Sequence, residues 1–260
     1  MNPVLLAALQ LARRLRHCSV REEHLFLAAL ETPEARLAVP VDLAAIESAV
    51  RSAVDVQMGV DTYSDPSLHL VDGRALGLAL ASGLADAAAE HVVVASLWEP
   101  QGACALILEG TGGSRPEVLG RLGRLGELAP STVRVNPLVR PAFDAAAGAG
   151  DDFVGDHHIL MSVLDGRPDA RAKGFMAGIA VDAAGFVRWY EGERRGWGPA
   201  PVRSFEGEPA PSAACFELFG RAEGWAAPGE IGSAEALVAY LWRPSGANLG
   251  WLGPPGLTPR

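Results

Sequence analysis

The amino-acid sequence predicts an all-α protein, built by tandem duplication of a two-repeat helical domain. The first observation is a phrase written twice, "LWEPQGACALIL" and "LWRPSGANLGWL", each reading Leu-Trp-x-Pro-x-Gly-Ala. The tryptophans of the two phrases, Trp98 and Trp242, lie 144 positions apart in a chain of 260 residues. A period of that length indicates that one half of the chain copies the other.

The second observation is a shorter repeat within each half. Four segments begin with a polar residue that is followed by an apolar run: "EEHLFLAAL", "EHVVVASLW", "HHILMSVL" and "EALVAYLW". Their polar anchors, spaced by 67, 67 and 78 positions, are Glu23, Glu90, His157 and Glu235. Each anchor follows a stretch of small and apolar residues such as "LLAALQLARRL", so the unit is predicted to be helix, turn, helix.

The copies alternate, which predicts the domain organisation. The first and third open with Asn2-Pro3 and Asn136-Pro137, an N-cap followed by the residue best tolerated at the first helical position. The second and fourth share the Leu-Trp phrase, so the order is A-B-A′-B′. The predicted domains are residues 1–128, with repeats at 2–55 and 73–127, and residues 133–260, with repeats at 135–191 and 211–260.

Composition excludes several classes of protein. A net charge of −9 and a pI near 5.2 disfavour binding to nucleic acid or to anionic membranes, which requires clustered lysine and arginine. Three cysteines without paired spacing do not form a disulfide framework. The N-terminal stretch lacks the pattern of a signal peptide, and no apolar stretch reaches membrane-spanning length. We expect a cytoplasmic protein.

The residues around the anchors carry a resemblance to a known family. "RHCSVREEHLFLAAL", followed by "DLAAIESAV", resembles the N-terminal domain of Clp ATPases, a double repeat with a Glu-His-Leu-Leu-type helix start in each half. "AEHVVVASL" and "VGDHHILMSVL" are similar to further copies, so the resemblance covers nearly all of the chain. The single lysine, Lys173, lies outside any Gly-x-x-x-x-Gly-Lys pattern, so we expect the recognition part without an AAA+ motor.

The resemblance implies a non-catalytic binding protein that uses no cofactor and no metal. The leading expectation is a peptide-like or small apolar ligand, which includes sequestration of a cyclic peptide antibiotic that targets Clp ATPases, a self-resistance role. The alternative is an adaptor or regulator that docks on a Clp ATPase or on its substrates. An outsider is an α/β nucleotide-using enzyme, in which "HVVVASL" and "CALIL" form buried strands and Gly110, Gly112 and Gly113 form a phosphate loop.

The tryptophans are the first set of candidate ligand-binding residues. Five of the six lie in the second half of the chain. Each could pack in the core of its own repeat or line a groove, because aromatic-rich concave surfaces favour apolar ligands. The candidates are Trp98, Trp197, Trp242 and Trp251.

The anchors Glu23, Glu90, His157 and Glu235 are the second set. A carboxylate at a helix start caps free N–H groups and complements the helix dipole. In the family, the corresponding acidic residues hold the guanidinium of phosphorylated arginine, beside a hydroxyl residue near the start of each first helix. Those places hold Asn2 and Asp72 here, and Asp72 would repel a phosphate.

The adjacent histidines His157 and His158 suggest a metal site only weakly. Neighbouring residues on a helix point to different faces. We therefore expect them to be polar residues of a helix start and not ligands of one ion.

Overall fold

The computed structural model describes residues 3–54, 63–132, 136–151, 153–155, 157–159, 162 and 209–226. The chain divides into two compact units. Unit 1 comprises Met1–Val135 and Phe219–Glu230, and unit 2 comprises Asn136–Leu218 and Ile231–Arg260. Among the helices of the described ranges, none has both the length and the apolar character needed to cross a membrane.

Unit 1 is helical, which confirms the predicted fold class. Its elements, in chain order, are α1 (Pro3–Leu15), β1 (Ser19–Val20), α2 (Glu22–Leu30), α3 (Pro33–Ala38), α4 (Leu43–Ala53), β2 (Tyr63–Ser64), α5 (Pro66–Ala81), α6 (Ala89–Ser96), α7 (Ala103–Gly110), α8 (Arg115–Arg121) and a 3₁₀-helix (Gly123–Leu128). The two apolar segments that the α/β alternative requires as strands form α6 and α7.

Short polar side chains begin four of these helices. Each accepts a hydrogen bond from a backbone N–H of the first helical turn, which satisfies a group that has no partner inside the helix. The caps are Thr32 for α3, Asp42 for α4, Asp65 for α5 and Ser114 for α8. Proline occupies the first or second position of α3, α5 and α8, where its missing N–H costs nothing.

The centre of unit 1 is formed by α2 and α6, the apolar helices that follow the anchors of the first two repeats. Seven of the eight residues of α6 and eight of the nine residues of α2 are buried. A helix that is apolar on every side must be enclosed by other elements. Helices α1 and α4 pack against α2, α5 packs against α6, and α2 and α6 pack against each other.

Two very short strands set the positions of the helix starts. Strands β1 and β2 pair in parallel, with Ser19 opposite Tyr63 and Val20 opposite Ser64. The backbone N–H of Asp65 continues the pairing by donating to the carbonyl of Val20 at 2.9 Å. Because the two segments leave the parallel pair in the same direction, α2 and α5 begin side by side.

Unit 2 shows the same local pattern. Its described elements are α9 (Val139–Ala149), β3 (Phe153–Val154), β4 (Ala210–Pro211) and the first residues of α10 (Ala213–Ala226). Strands β3 and β4 pair in parallel, and the N–H of Ser212 donates to the carbonyl of Val154 at 2.8 Å. A strand pair of this kind before two helix starts, in each unit, agrees with the predicted duplication. The domain boundaries stay a prediction.

Two expectations about helix boundaries have clear outcomes. Helix α5 begins at Pro66, capped by Asp65, so the first helix of the second repeat starts before residue 73 and the position given to Asp72 at a helix start was wrong. The stretch before residue 73 has the composition of a loop, although Asp-Pro is also an N-cap followed by a proline. The glycine cluster forms the turn between α7 and α8, in which Gly112 has φ +86°.

Candidate functional site

Three buried histidines occupy one position of the repeat. His24, His91 and His158 are 67 positions apart, and each lies in the first turn of a helix. In each ring, Nδ1 accepts a hydrogen bond from the backbone N–H three residues earlier, as a capping side chain does. The donors are the N–H groups of Arg21 at 3.1 Å, Ala88 at 3.2 Å and Gly155 at 2.9 Å.

The second ring nitrogen has a different neighbour in each repeat. His24 Nε2 lies 2.7 Å from His17 Nδ1, and His158 Nε2 lies 2.9 Å from Asp151 Oδ2. Both partners stand seven positions before their histidine. Leu84 occupies that position in the second repeat and has no hydrogen-bonding group in its side chain. Because Nδ1 accepts, the proton of the neutral His24 and His158 rings is on Nε2, which donates to the partner.

Burial favours the neutral form of two capping rings, those of His24 and His91. It lowers the pKa of His24 to about 4, and the charge that His17 can carry lowers this pKa further. Burial also lowers the pKa of His91, against the opposing effect of Glu90. A neutral ring is required because a protonated Nδ1 cannot accept the backbone N–H.

The histidines, and not the acidic anchors, make the capping hydrogen bonds that the sequence suggested for Glu23 and Glu90. The hydrogen bond at each helix start is made by the histidine, one position after Glu23 or Glu90. Glu90 is half-buried beside its capping histidine, whereas Glu23 is buried, with 2% of its surface exposed. A carboxylate that is buried and does not cap requires another explanation.

Glu23 belongs to a group that we name the acidic cluster: Arg21, Glu22, Glu23 and Asp65. Arg21 Nε lies 3.7 Å from Glu23 Oε2 and 3.9 Å from Asp65 Oδ2, so one guanidinium stands between two carboxylates. Asp65 also accepts from the N–H and the hydroxyl of Ser67, at 3.0 and 2.8 Å. Among the described residues, the buried Oε2 of Glu23 accepts no hydrogen bond.

Glu22 shows that the acidic cluster has a surplus of negative charge. Burial, and then the charge of Glu23, raise its pKa to about 7, although Arg74 and Arg21 act in the opposite direction. Arg74 is itself committed elsewhere: its guanidinium pairs with Glu99 at 2.9 Å and with Glu223 at 2.5 Å. It therefore neutralises other carboxylates more directly than those of the cluster.

The structure places Trp98 in the core of unit 1, with 6% of its surface exposed. The Arg74 guanidinium lies 5.8 Å from the centre of its ring, a cation–π distance. These are the contacts of a packed residue, one of the two alternatives that the sequence left open. The other candidates Trp197, Trp242, Trp251 and Glu235 lie outside the described residues.

Unit 2 has different chemistry at the equivalent positions. His157 replaces Glu23, Gly155 replaces Arg21 and Ser212 replaces Asp65. The expectation that His157 and His158 diverge was wrong, because their ring centres are 4.0 Å apart. Both rings pack against Phe153, which holds them on the same side of the helix start.

The donor atoms of Asp151, His157 and His158 lie within 4.8 Å of one another, a distance that a metal ion can bridge. The hydrogen bonds disfavour this use. Because His158 Nδ1 accepts from Gly155, its Nε2 is protonated and donates to Asp151. A metal on Nε2 would require a doubly deprotonated ring or the loss of the helix cap.

Arg115 is a structural residue that the sequence did not reveal. It is buried, with 7% of its surface exposed, at the start of α8. Its guanidinium donates to three backbone carbonyls, those of Leu97 at 2.7 Å, Trp98 at 3.0 Å and Pro130 at 2.7 Å. It therefore joins the end of α6 to the segment that follows the 3₁₀-helix.

Comparison with known protein families gives a match in the first part of the chain. Residues 1–110 match the family model of the Clp repeat (R) N-terminal domain, a range that contains the acidic cluster and two of the three capping histidines. No curated protein matches the chain.

Proposed function

Because residues 1–110 belong to the Clp repeat (R) N-terminal domain family, we propose that this chain is a non-catalytic binding protein that takes up a cationic group of a peptide-like ligand at the acidic cluster. The match of residues 1–110 to this family supports a Clp-ATPase-related, adaptor-like role. The cationic ligand is the finer part of the proposal.

The observation that carries the proposal is the buried oxygen of Glu23. A carboxylate oxygen removed from water loses several kcal/mol of hydration unless hydrogen bonds replace it, on the order of 1–3 kcal/mol for each missing bond. Within the described ranges Glu23 Oε2 accepts none, and the guanidinium of Arg21, 3.7 Å away, is beyond hydrogen-bond distance. A guanidinium or ammonium group of a ligand would supply the missing donor.

The charge balance favours the same class of ligand. Glu23 and Asp65 stand beside Arg21, and the pKa of Glu22 is raised first by burial and then by the charge of Glu23, against the opposing charges of Arg74 and Arg21. A cation that enters the cluster lowers the pKa of Glu22 and is bound more tightly once that carboxylate ionises. An anionic ligand would meet repulsion from the same groups.

Two kinds of cationic peptide fit this role. A degradation substrate that is carried to a Clp ATPase fits the adaptor expectation, and a peptide-like compound that is sequestered fits the resistance expectation. The second depends on the four candidate tryptophans, of which Trp98 lies in the described part of the chain, and it is buried. Sequestration therefore stays a prediction. Replacing Trp197 or Trp242 by Ala should then weaken binding by roughly 1–3 kcal/mol in a fluorescence titration.

The experiment for the cationic ligand compares two peptides that differ in one charge. A short peptide with a central arginine and its citrulline analogue, which has the same shape without the charge, are titrated calorimetrically into the full chain. We expect binding of the arginine peptide only. Glu23→Gln should weaken that binding about tenfold or more, because a charged hydrogen bond becomes a neutral one.

Glu117→Gln is the control for the loss of a carboxylate. Glu117 pairs with Arg121 on the exposed side of α8, so its removal should leave the affinity unchanged. Equal affinity for the arginine and citrulline peptides would refute the proposal, as would equal affinity of the Glu23→Gln variant and the original chain.

A further inference from the structure

The acidic cluster contains a cation of its own. The guanidinium of Arg21 stands between the carboxylates of Glu23 and Asp65, where the proposed function places the cation of a ligand. We propose that Arg21 is an internal ligand, which closes the cluster until a cationic group displaces its side chain. This inference rests on the proposed function and adds the way in which access to the site is controlled.

The contacts of Arg21 are weak enough for displacement. Both of its ion pairs exceed 3.5 Å, and its side chain is 38% exposed. Water screens both pairs from the side of the arginine, and Arg21 Nε, which lies 3.7 and 3.9 Å from the two carboxylates, makes no hydrogen bond within the described residues. A ligand that donates at hydrogen-bond distance to Glu23 gains more than this pair loses.

The position of Arg21 makes its side chain separable from the fold. Its backbone N–H donates to His24 and caps α2, whereas the ion pairs of its side chain with other described residues are those with the two carboxylates. In unit 2 the same backbone position is Gly155, whose N–H donates to His158 in the same way. The helix start therefore does not need the arginine side chain, and the arginine is available to regulate the cluster.

Unit 2 differs from unit 1 at the positions that form the acidic cluster. At the equivalent positions of unit 2, Gly155 stands where unit 1 has Arg21, and His157 stands where unit 1 has Glu23. The arginine is present in the unit that has the acidic group for it to cover. This pairing is expected if the arginine acts on the cluster.

The test uses the full chain with Arg21→Gln, which keeps most of the side-chain length, and Arg21→Gly, which reproduces position 155. Titrations with the arginine peptide are made at pH 8.5, because loss of the Arg21 charge raises the pKa of Glu22 and a lower pH would protonate that carboxylate. We expect both variants to bind about three- to tenfold more tightly than the original chain, the range that removal of one competing ion pair allows. Arg21→Lys keeps a competing cation and should bind like the original chain.

Circular dichroism of each variant verifies the fold, and the outcomes separate the two proposals. If the original chain binds the arginine peptide and the neutral variants bind it equally or less tightly, the internal-ligand proposal is wrong while the proposed function stands. If only the neutral variants bind, Arg21 closes the site completely and the inference holds. If no variant binds, the cationic ligand and the inference fail together.

Discussion

Acid should weaken the fold through His24, because this ring must be neutral to cap α2. Its pKa is about 4 in the folded protein and 6.5 in a model peptide. Between these values the unfolded chain binds more protons, so the free energy of unfolding falls as pH falls. The stabilisation is complete above pH 6.5 and is lost as pH falls through about 4. At about 1.4 kcal/mol for each pKa unit, the loss is about 3 kcal/mol.

The assay compares the original chain with His24→Asn by urea unfolding at half-unit steps from pH 7.5 to 4. Asparagine does not titrate, so the variant lacks this part of the pH dependence. At pH 7.5 it should be about 1–2 kcal/mol less stable, through the lost ring contacts with Arg21 and His17. The difference should shrink or reverse near pH 4, because only the original chain must protonate the ring.

His91→Asn is the matched control, since it removes the same kind of cap without a histidine partner. Leu84 stands where His24 has His17, so the pH-dependent difference should be smaller for this variant. Other buried histidines, including His157 with a pKa near 4, add to the slope of every variant. The reasoning would be refuted by parallel pH curves for His24→Asn and the original chain.

Three further substitutions have definite expected results in urea unfolding. Glu22→Gln should be more stable than the original chain by about 1–2 kcal/mol at pH 8 and equal to it at pH 4. The pKa of Glu22 is about 7 in the folded chain and 4.5 in the unfolded chain, so the original chain loses stability as pH rises through that window. Arg115→Met should lower the free energy of unfolding by about 3 kcal/mol, since three carbonyls lose a donor. Arg121→Met, which removes an exposed ion pair, should lower it by about 0–1 kcal/mol, and equal losses would show that the buried guanidinium is not a structural link. Gly126→Ala should destabilise the fold, because the added Cβ would lie about 1.9 Å from a backbone oxygen, and no change in stability would contradict the close packing of the 3₁₀-helix. Gly120→Ala, in open space on α8, should instead stabilise the fold by about 0.5–1 kcal/mol.

Periodicity predicted the helices well, and the roles of individual residues less well. The 67-residue spacing leads directly to α2, α6 and the helix start at residue 157, because it aligns three apolar runs that each follow a polar anchor. The cap was placed one residue early. A carboxylate is a common cap and a buried histidine is not, so the capping role was assigned to Glu23, whereas His24 fulfils it. The signal was present, since His17 and Asp151 stand at the same offset from their histidines.

The acidic cluster itself could not be predicted. It depends on a parallel pair of two-residue strands that joins Ser19 to Tyr63, and strands of that length leave no alternation to detect. The Asp-Pro before α5 has the composition of a loop, which hid both the helix start and the carboxylate that faces Arg21. Burial of Glu23 follows from how the repeats pack together, which no local pattern encodes.

The parallel strand pair also makes the acidic cluster a property of the folded state alone. Its two sides are 44 positions apart in sequence, with Arg21, Glu22 and Glu23 on the first repeat and Asp65 at the start of the second, so the complete cluster exists only when the two repeats pack together. An unfolded chain lacks the complete cluster and therefore binds the ligand more weakly than the folded chain. Every ligand that occupies the cluster then adds its binding free energy to the cohesion of the two repeats, about 2.7 kcal/mol at a concentration one hundred times the dissociation constant. Binding and the joining of the two repeats are one thermodynamic event, and a rise in melting temperature measures them together.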